Sequence, residues 1–412
     1  MRVLVLGTNR PCHDSLLEQG HEVVLLIQRG KALAEDLSKA YAHIALLHDD
    51  APDAAWHDVA AALHRHGPFD AVAAFNDRSQ ALAHGIALKL DVPTAIDLEL
   101  LNLVTDKSQM RAALDKHGIP SCRHAFATGA DRARAAIGEI GFPCIIKPVD
   151  GEASIGVAKV SQAGDVDEAL AWVGEASLER GVIIEEFLVG EEYSVEAITA
   201  RGTHHILAIT KKYKDARNFV EVGHQVPAPL EAQASAEIER YVKRILSAFG
   251  YRDCPSHTEL MLTASGPRII ETHTRVGGDR IVDLVRHATG VDLYGLVAKQ
   301  SLGFDVTADV PTKVTCLQSA AVWYANPSVA EDLLLDDIRG ADNVRKQAHI
   351  KTLDLLKKPG SRGARVRHSF DRSALAIAVG HTPAEAVDRA KDAIRRLHFI
   401  YRGRSDPDLA VT

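Results

Sequence analysis

No apolar run in this 412-residue chain approaches the roughly 18 residues of a membrane span; its apolar runs, such as Val23–Ile27, are strand-sized. Cysteines are few and unpaired in pattern: positions 12, 122, 144, 254 and 316 form no CxxC, which excludes a disulfide framework and reads as reduced, mostly buried thiols. Positive charge is in the minority, 48 basic against 55 acidic residues for a net −7. That balance excludes a general nucleic-acid binder, although it permits a local basic groove. The chain opens directly into the strand-like Val3–Leu6 without a signal-peptide pattern, so a cytoplasmic protein with no membrane partner is expected. Internal repeats and low-complexity tracts are absent.

What is present is ordinary for a globular protein: 46% hydrophobic and 25% charged residues, in a length that suits two or three domains of about 150 residues. In residues 1–103, strands at Val3–Leu6, Val23–Ile27 and Ala71–Phe75 alternate with helical stretches at His13–Gln19 and Gln80–Leu90. This is the pattern of βαβ units and a parallel sheet. Gly7 does not begin a dinucleotide fingerprint, since Gly7-Thr8-Asn9-Arg10-Pro11-Cys12 lacks the second and third glycines. A Rossmann-like scaffold with an empty switch point is the expectation, and a nicotinamide oxidoreductase is disfavoured. Thr105 is expected to cap the next helix, and Glu231–Phe249 reads as a long amphipathic helix. Lys211–Val222, polar and mixed, is expected to be a mobile loop. Residues 304–412 read as a separate α+β region, with strands near Thr315–Val322 and Ala374–Val379 and a helix at Pro383–Leu397.

The most informative segment is His257–Asp279, HTELMLTASGPRIIETHTRVGGD. Two alternating runs flank Thr263–Pro267, which predicts a hairpin. With a three-residue loop at Ala264–Gly266, Glu259 falls opposite Glu271, and His257 opposite His273. Opposed carboxylates repel unless a cation lies between them or the face is solvated. The two histidines leave a His/Glu transition-metal site open. Arg275 and the turn Gly277-Gly278-Asp279 then lead into a helix. A glycine turn at a helix N-terminus beside an arginine can receive a carboxylate or an oxyanion, or it can be a structural turn.

Two other segments carry weaker signals. In IIKPVDGEASIGVAKV, Lys147 precedes a small-residue loop with Gly151, Ser154 and Gly156, able to wrap phosphate oxygens or to act as a plain turn. In IIEEFLVGEEYSVE, Glu185-Glu186-Phe187-Leu188 leads through Gly190 to Glu192. That pattern alone is an ordinary hairpin.

Taken in order, TDKSQMR with Lys107, IIKP, the loop 150–156, IIEEFLVGEEYSVE, HTELML and IIETHTRVGGD resemble the ATP-grasp superfamily from Thr105 to about Leu302. The resemblance implies an α/β ATP-grasp fold. A Rossmann-like domain (1–103) would precede the ATP-grasp domain (104–303, with a mobile lid near 120–188), and a C-terminal α+β domain (304–412) would complete the core. It implies that Lys107 and Lys147 bind ATP phosphates beneath a lid at Gly151, Ser154 and Gly156. The adenine hinge would be Glu185, Glu186, Phe187 and Leu188, with Glu192 at the ribose. Glu259 and Glu271 would hold Mg²⁺, with Mn²⁺ as an alternative. The family usually has Glu-x-Asn-x-Arg where this chain has Glu271-Thr272-His273-Thr274-Arg275, so His273 would supply a nitrogen ligand in place of an amide oxygen.

The activity implied is ATP-dependent joining of a carboxylate to an amine through an acylphosphate, with Arg275, Gly277 and Gly278 at the reacting centre. ETHTRVGGD, the N-terminal domain and FVEVGHQVPAPL (219–230) resemble the L-amino acid ligases, which make dipeptides. That likeness adds Gly278 and Asp279 to Arg275 as candidate contacts to amino acid substrates, α- or γ-linked. His224, in the loop before Pro227, is either a contact to phosphate or substrate or a surface-loop histidine, and Asp77, just past the strand Ala71–Phe75, is either a substrate contact or a helix N-cap. A homodimer is expected. The alternatives are a bicarbonate-activating carboxylase-type subunit, for which no biotin carrier segment is present, and a non-catalytic nucleotide-binding regulator.

Overall fold

A computed structural model describes residues 1–403 except 152–154, 216–219, 328, 332 and 364. Strands β1 (Arg2–Leu6), β2 (Glu22–Gln28), β3 (His43–Leu47) and β4 (Ala71–Ala74) form a parallel sheet in the order β3-β2-β1-β4. Helices α1 (Arg10–Glu18), α2 (Asp53–His66) and α3 (Asp77–Leu90) connect it. Strands β1, β2 and β4 are buried on both faces, hence their Val/Leu/Ala runs, whereas the edge strand β3 is partly exposed. Because β1 lies between β2 and β4, the chain reverses direction across the sheet at the C-terminal ends of β1 and β4. Such a point leaves a crevice. Gly7 sits there with φ +97°, and a Cβ on it would lie 2.7 Å from Ser79 Oγ.

Two short helices follow, α4 (Leu98–Thr105) and α5 (Lys107–Lys116). Asp106, rather than Thr105, caps the second: its carboxylate accepts from the N–H groups of Ser108 and Gln109, while Thr105 Oγ1 bonds back to Leu101 O as the last residue of α4. Both residue types suit a cap, and which of the two closes the preceding helix is decided by packing.

The second sheet has the order β5-β8-β6-β7, from β5 (His124–Ala127), β6 (Cys144–Pro148), β7 (Ala158–Val160) and β8 (Val182–Glu186). Helices α6 (Ala130–Ile140), α7 (Val166–Val173) and α8 (Glu175–Arg180) belong to the same unit, and Ala133, Ile137, Leu170 and Leu178 join its core.

The remaining strands are β9 (Gly190–Ala200), β10 (Thr203–Lys214), β11 (Glu221–Val226), β12 (Cys254–Thr263), β13 (Gly266–His273), β14 (Ser319–Ala325), β15 (Leu334–Arg339), β16 (Ile350–Leu355), β17 (Ala374–Gly380) and β18 (His398–Arg402). Except for β15 and β18, which pair with each other, they form one antiparallel sheet in the order β13-β12-β9-β10-β11-β14-β17-β16. Strands from beyond residue 304 therefore continue the sheet begun at Gly190, at the seam β11-β14. The described residues of the segment expected as a loop are mostly strand: Lys211–Lys214 end β10 and Glu221–Val226 form β11, with residues 216–219 of that expectation outside the described residues. Polar composition misleads here because these strands line a polar cleft on one face.

Helix α9 (Ala232–Phe249) packs Ile238, Val242, Ile245 and Leu246 against Val195, Ala197, Leu260 and Ile269. The opposite face of the sheet receives α10 (Ile281–Thr289) and α11 (Leu293–Ser301), whose Val282, Val285 and Leu293 meet Ile198 and Ala200. Since strand side chains alternate, the odd positions 193–197 of β9 face α9, and Ser194 and Glu196 face the other way. Helices α12 (Ala341–Arg345) and α13 (Pro383–Arg395) complete the C-terminal part. No helix among the described residues is long and apolar enough to cross a membrane. The five cysteines are free; three are buried, Cys254 is half-buried and Cys316 exposed.

Candidate active site

The hairpin β12–β13 carries the acidic centre. Glu259 pairs with Glu271 and His257 with His273, the expected register, but the loop is different. Thr263 pairs with Gly266, so the turn is the two residues Ala264-Ser265, held by Thr263 Oγ1 donating to Gly266 O at 2.8 Å. The missing loop residue reappears as a bulge at Ile270, between the pairs Leu260–Ile269 and Glu259–Glu271. The bulge turns Ile269 toward α9 and Glu271, two residues on, toward the cleft. The freed carbonyl of Ile270 accepts from Arg111 Nη2 at 3.0 Å.

Around the two carboxylates stand basic groups from distant parts of the chain. Lys212 Nζ lies 2.6 Å from Glu259 Oε1 and 3.2 Å from Glu192 Oε1; Lys214 Nζ lies 2.7 Å from the same Glu192 oxygen. Lys107 Nζ lies 3.4 Å from Glu271 Oε2 and donates to Gly151 O at 2.8 Å. Each glutamate also meets the histidine two residues before or after it, on the same strand: Glu259 Oε1 is 3.1 Å from His257 Nε2, and Glu271 Oε1 3.1 Å from His273 Nε2. Burial pushes both carboxylates up. Lys212 and His257 at Glu259, and Lys107 and His273 at Glu271, outweigh it and hold both well below the ordinary carboxylate range. His257, buried yet flanked by Glu196 at 2.8 Å and by Glu259, is raised to about 9.

His273 does not stand free as a third ligand. Its Nε2 meets Glu271, its Nδ1 faces Asp77 Oδ2 at 3.2 Å, and its ring lies along that of His257, centroids 6.2 Å apart. Among the described residues no three His, Cys, Asp or Glu side chains converge on a point that could hold a metal ion. Two ionised carboxylates suit Mg²⁺, which commonly takes one or two protein carboxylates and completes its shell with water and phosphate oxygens.

Arg275 Nε donates to Asp77 Oδ2 at 2.7 Å, joining the turn after β13 to the start of α3. Asp77 Oδ1 is buried with no hydrogen-bond partner among the described residues. Burial opposes ionisation of Asp77, but His273 and Arg275 keep it far below its usual value. Gly277 allows the turn to pass close beneath this group, since a Cβ there would lie 2.8 Å from Glu196 Oε2 and 3.0 Å from His257 Nδ1. A Cβ on Gly278 would meet nothing within 4 Å. The helix begins at Ile281, so the two glycines precede the helix rather than form its first residues, and Gly278 O accepts from Ile281 N at 2.9 Å.

Lys147 and the hinge behave differently from one another. Lys147 Nζ contacts Glu185 Oε2 at 2.7 Å, and Arg111 Nε donates to Glu185 Oε1 at 2.7 Å. Burial raises Glu185, but Arg111 and Lys147 bring it to about 2. Its carboxylate thus braces Lys147, while the residue lines the cleft beside the rest of the expected hinge. Glu186, Phe187 and Leu188 line the cleft, with Lys159 Nζ 3.9 Å from the Phe187 ring centre. Gly151 also lines it; Gly156, at φ +73°, sits over Pro148, and Ser154 lies outside the described residues.

His224 is buried on β11, not on a surface loop, and its Nε2 lies 3.2 Å from Asp279 Oδ2. Arg372, from beyond β16, donates to both oxygens of Asp279 and stacks on the Tyr324 ring at 3.8 Å. Asp279 itself adopts φ +52°, and its carbonyl accepts from Tyr324 Oη. The expected substrate contacts His224, Asp77 and Asp279 all line the cleft, but each is engaged by a protein partner.

Most of these side chains line one cleft of about 860 Å³, walled by the crevice at Gly7–Asn9 and Asn76–Ser79, the second sheet, the large sheet and Ser369–Arg372. Lys212, Lys214, Arg111, Glu196, Glu221 and Arg372 escaped the sequence reading. Only the buried-strand spacing of Lys212 and Lys214, which puts both on one face, could have signalled them.

Residues 140–283 match the ATP-grasp domain, and residues 334–402 match L-amino acid ligase C-terminal domain 2. An alanine–anticapsin ligase of Bacillus subtilis (strain 168) is 28% identical over 278 residues, which is 58% of this chain and 58% of that protein. The chain thus spans somewhat over half the length of this curated relative. A D-alanine–D-alanine ligase of Aromatoleum aromaticum is 27% identical over 302 residues, 71% of this chain and 92% of the relative. In three dimensions the L-amino acid ligase from Bacillus licheniformis superposes with a TM-score of 0.85 at 20% identity, covering 98% of this chain and 99% of that one. The biotin carboxylase domain of the Hydrogenobacter thermophilus 2-oxoglutarate carboxylase, solved with MgADP and bicarbonate, gives 0.74 at 15% identity, covering 98% and 90%. The chain has an ATP-grasp fold, with a Rossmann-like N-terminal part and the C-terminal domain of the L-amino acid ligase type.

Proposed function

We propose that this chain is an ATP-dependent carboxylate–amine ligase that joins L-amino acids, in an α- or γ-glutamyl-type linkage, through an acylphosphate. The observation that carries this reading is one cleft holding an ionised cross-strand pair, Glu259 and Glu271, opposite Lys107 and Lys147, with Arg275 at its inner wall. Glu259 and Glu271 would hold Mg²⁺, which when bound offsets charge on the transferring phosphoryl group. Lys107 and Lys147 bind phosphate oxygens, the second braced by Glu185. The backbone of Glu186–Leu188 receives the base, and the ribose lies toward Glu192. The loop around Gly151 and Gly156, within a lid spanning about 120–188, covers the phosphates and keeps water from the acylphosphate.

Arg275 orients the acid substrate. Its carboxylate oxygen attacks the γ-phosphorus and ADP leaves; the amine then attacks the acyl carbon, phosphate leaves, and a proton is released. Gly277 and Gly278 bring backbone close to the developing oxyanion. Beside the Arg275 cation, Asp77 Oδ1, without a partner among the described residues, suits an ammonium group, which favours amino acids over simple acids. We further propose the division 1–103, 104–303 and 304–412, a homodimeric assembly and a cytoplasmic location.

The test is ADP release with ATP and Mg²⁺ against amino acids singly and in pairs, with mass spectrometry of the products. Pair-dependent release with a product of summed mass less water is expected. ATP turnover indifferent to every amino acid overturns the reading, and turnover dependent on bicarbonate replaces it with a carboxylase-type reaction.

A further inference from the structure

A second cavity, of about 490 Å³, lies outside the cleft. It forms where the end of β4, the approach to α4, the start of β12 and the C-terminal end of α11 meet. Its walls combine apolar side chains, Phe75, Ile96, Leu100, Val276 and Val297, with the 48% exposed Phe304 and with charged groups. The three carboxylates among them are engaged: Asp97 accepts from Leu100 N, Asp253 from Arg201 N, and Asp305 pairs with the Arg201 guanidinium. A concave apolar surface bearing a few placed polar groups is the usual form of a small-molecule site.

Two polar groups fit that description. Gln300, 3% exposed, donates Nε2 to Thr199 O at 2.7 Å. That bond fixes the amide orientation and leaves Oε1 without a hydrogen-bond partner among the described residues, a costly state for a buried acceptor. Arg252 is exposed at the same cavity and makes no ion pair among the described residues, whereas neighbouring Arg201 is paired with Asp305 at 2.7 Å. A free guanidinium beside an apolar chamber selects a carboxylate with an apolar body.

The cavity also touches the cleft. Phe75, Arg275 and Val276 line both. On the cavity side Thr274 Oγ1 donates to Gln80 Oε1 at 2.9 Å, and Gln80 Nε2 donates to Thr274 O at 3.3 Å. Gln80 lies about one helical turn beyond Asp77 on α3, and Thr274 directly precedes Arg275. The Gln80–Thr274 pair thus ties together the two elements that set Asp77 against Arg275.

We propose that this cavity binds a small apolar carboxylate carrying one hydrogen-bond donor. Its acid group meets Arg252 and its donor meets Gln300, and occupancy is transmitted to Arg275. The transmission rests on the ligase reading; the binding does not.

The probe is 3-phenyllactate, which has a hydroxyl donor and no amine, titrated calorimetrically into the full chain. Binding is expected to weaken roughly tenfold or more in Arg252→Ala, an exposed position, and to vanish in Val297→Phe, which fills the cavity. Binding of a non-hydrolysable ATP analogue stays unchanged in both variants and reports an intact fold. 3-Phenylpropionate, without the donor, binds more weakly than 3-phenyllactate. Absence of binding at millimolar probe, or equal affinity in all three proteins, overturns the site. In the ADP-release assay the probe shifts KM for the acid substrate in the wild type and not in Val297→Phe; an unmoved KM with binding intact overturns the transmission. Because calorimetry needs no turnover, loss of the ligase reading and loss of the site are read separately.

Discussion

Asp77 Oδ2 accepts from Arg275 Nε at 2.7 Å across 198 positions of sequence, so the N-terminal domain sets the side chain that closes the inner wall of the cleft. The carboxylate is the shared counter-charge of Arg275 and His273. Asp77→Asn keeps the shape and removes that charge. It is expected to destabilise the protein by about 2 kcal/mol, the scale of a lost hydrogen bond to a charged group, and to raise KM for the acid substrate. Urea unfolding and substrate-dependent ADP release check both.

Glu259→Gln and Glu271→Gln each remove one carboxylate of the cross-strand pair. Activity is expected to fall on the order of 100-fold or more, with the Mg²⁺ requirement shifted to higher concentration. A Mg²⁺ titration of ADP release gives the result; an unchanged titration with full activity places the metal elsewhere.

Lys147→Met leaves Glu185 with Arg111 as its one cationic partner among the described residues and removes the proposed phosphate contact. ATP affinity is expected to drop by about 10- to 150-fold, corresponding to roughly 1.5–3 kcal/mol for a hydrogen bond to a charged group. Calorimetry with a non-hydrolysable analogue measures it.

The paired glycines should separate. Gly277→Ala drives a methyl against Glu196 and His257 and is expected to cost about 1–3 kcal/mol. Gly278→Ala points into open space and should change stability by less than about 0.5 kcal/mol. Thermal unfolding of the two variants side by side is the check.

Asp279 is opposed by burial but held far below its usual value by Arg372 and His224. A carboxylate depressed in the folded state stabilises fully above its unfolded value of about 3.9 and loses that contribution as pH falls toward the folded one. Arg372→Met is therefore expected to cost about 3 kcal/mol at neutral pH, the lower end for breaking a buried pair. The difference from wild type should shrink below about pH 4, where the unfolded carboxylate protonates. Urea unfolding at pH 7 and pH 3.5 tests the sign; a gap that widens in acid contradicts it.

Elements whose cause is local were legible in the sequence. The alternation around Thr263–Gly266 put Glu259 opposite Glu271 and His257 opposite His273, and the helical spacing in Glu231–Phe249 marked the face that packs on the sheet. Even so, the register at Glu259 is right because two local errors cancel: a loop one residue shorter than expected, and a bulge at Ile270 that only Arg111 and the neighbouring strand β9 reveal.

What tertiary structure alone decided is which charges meet. Lys212 reaching Glu259, Arg111 reaching Glu185, Arg372 reaching Asp279 and Asp77 reaching Arg275 each join segments whose separation is fixed by strand order and domain docking. Side-chain periodicity reports which face a residue takes within its own element. It carries no information about the partner across the sheet, because that partner is set by non-local pairing, here the seam that brings β10 and β11 between β9 and β14.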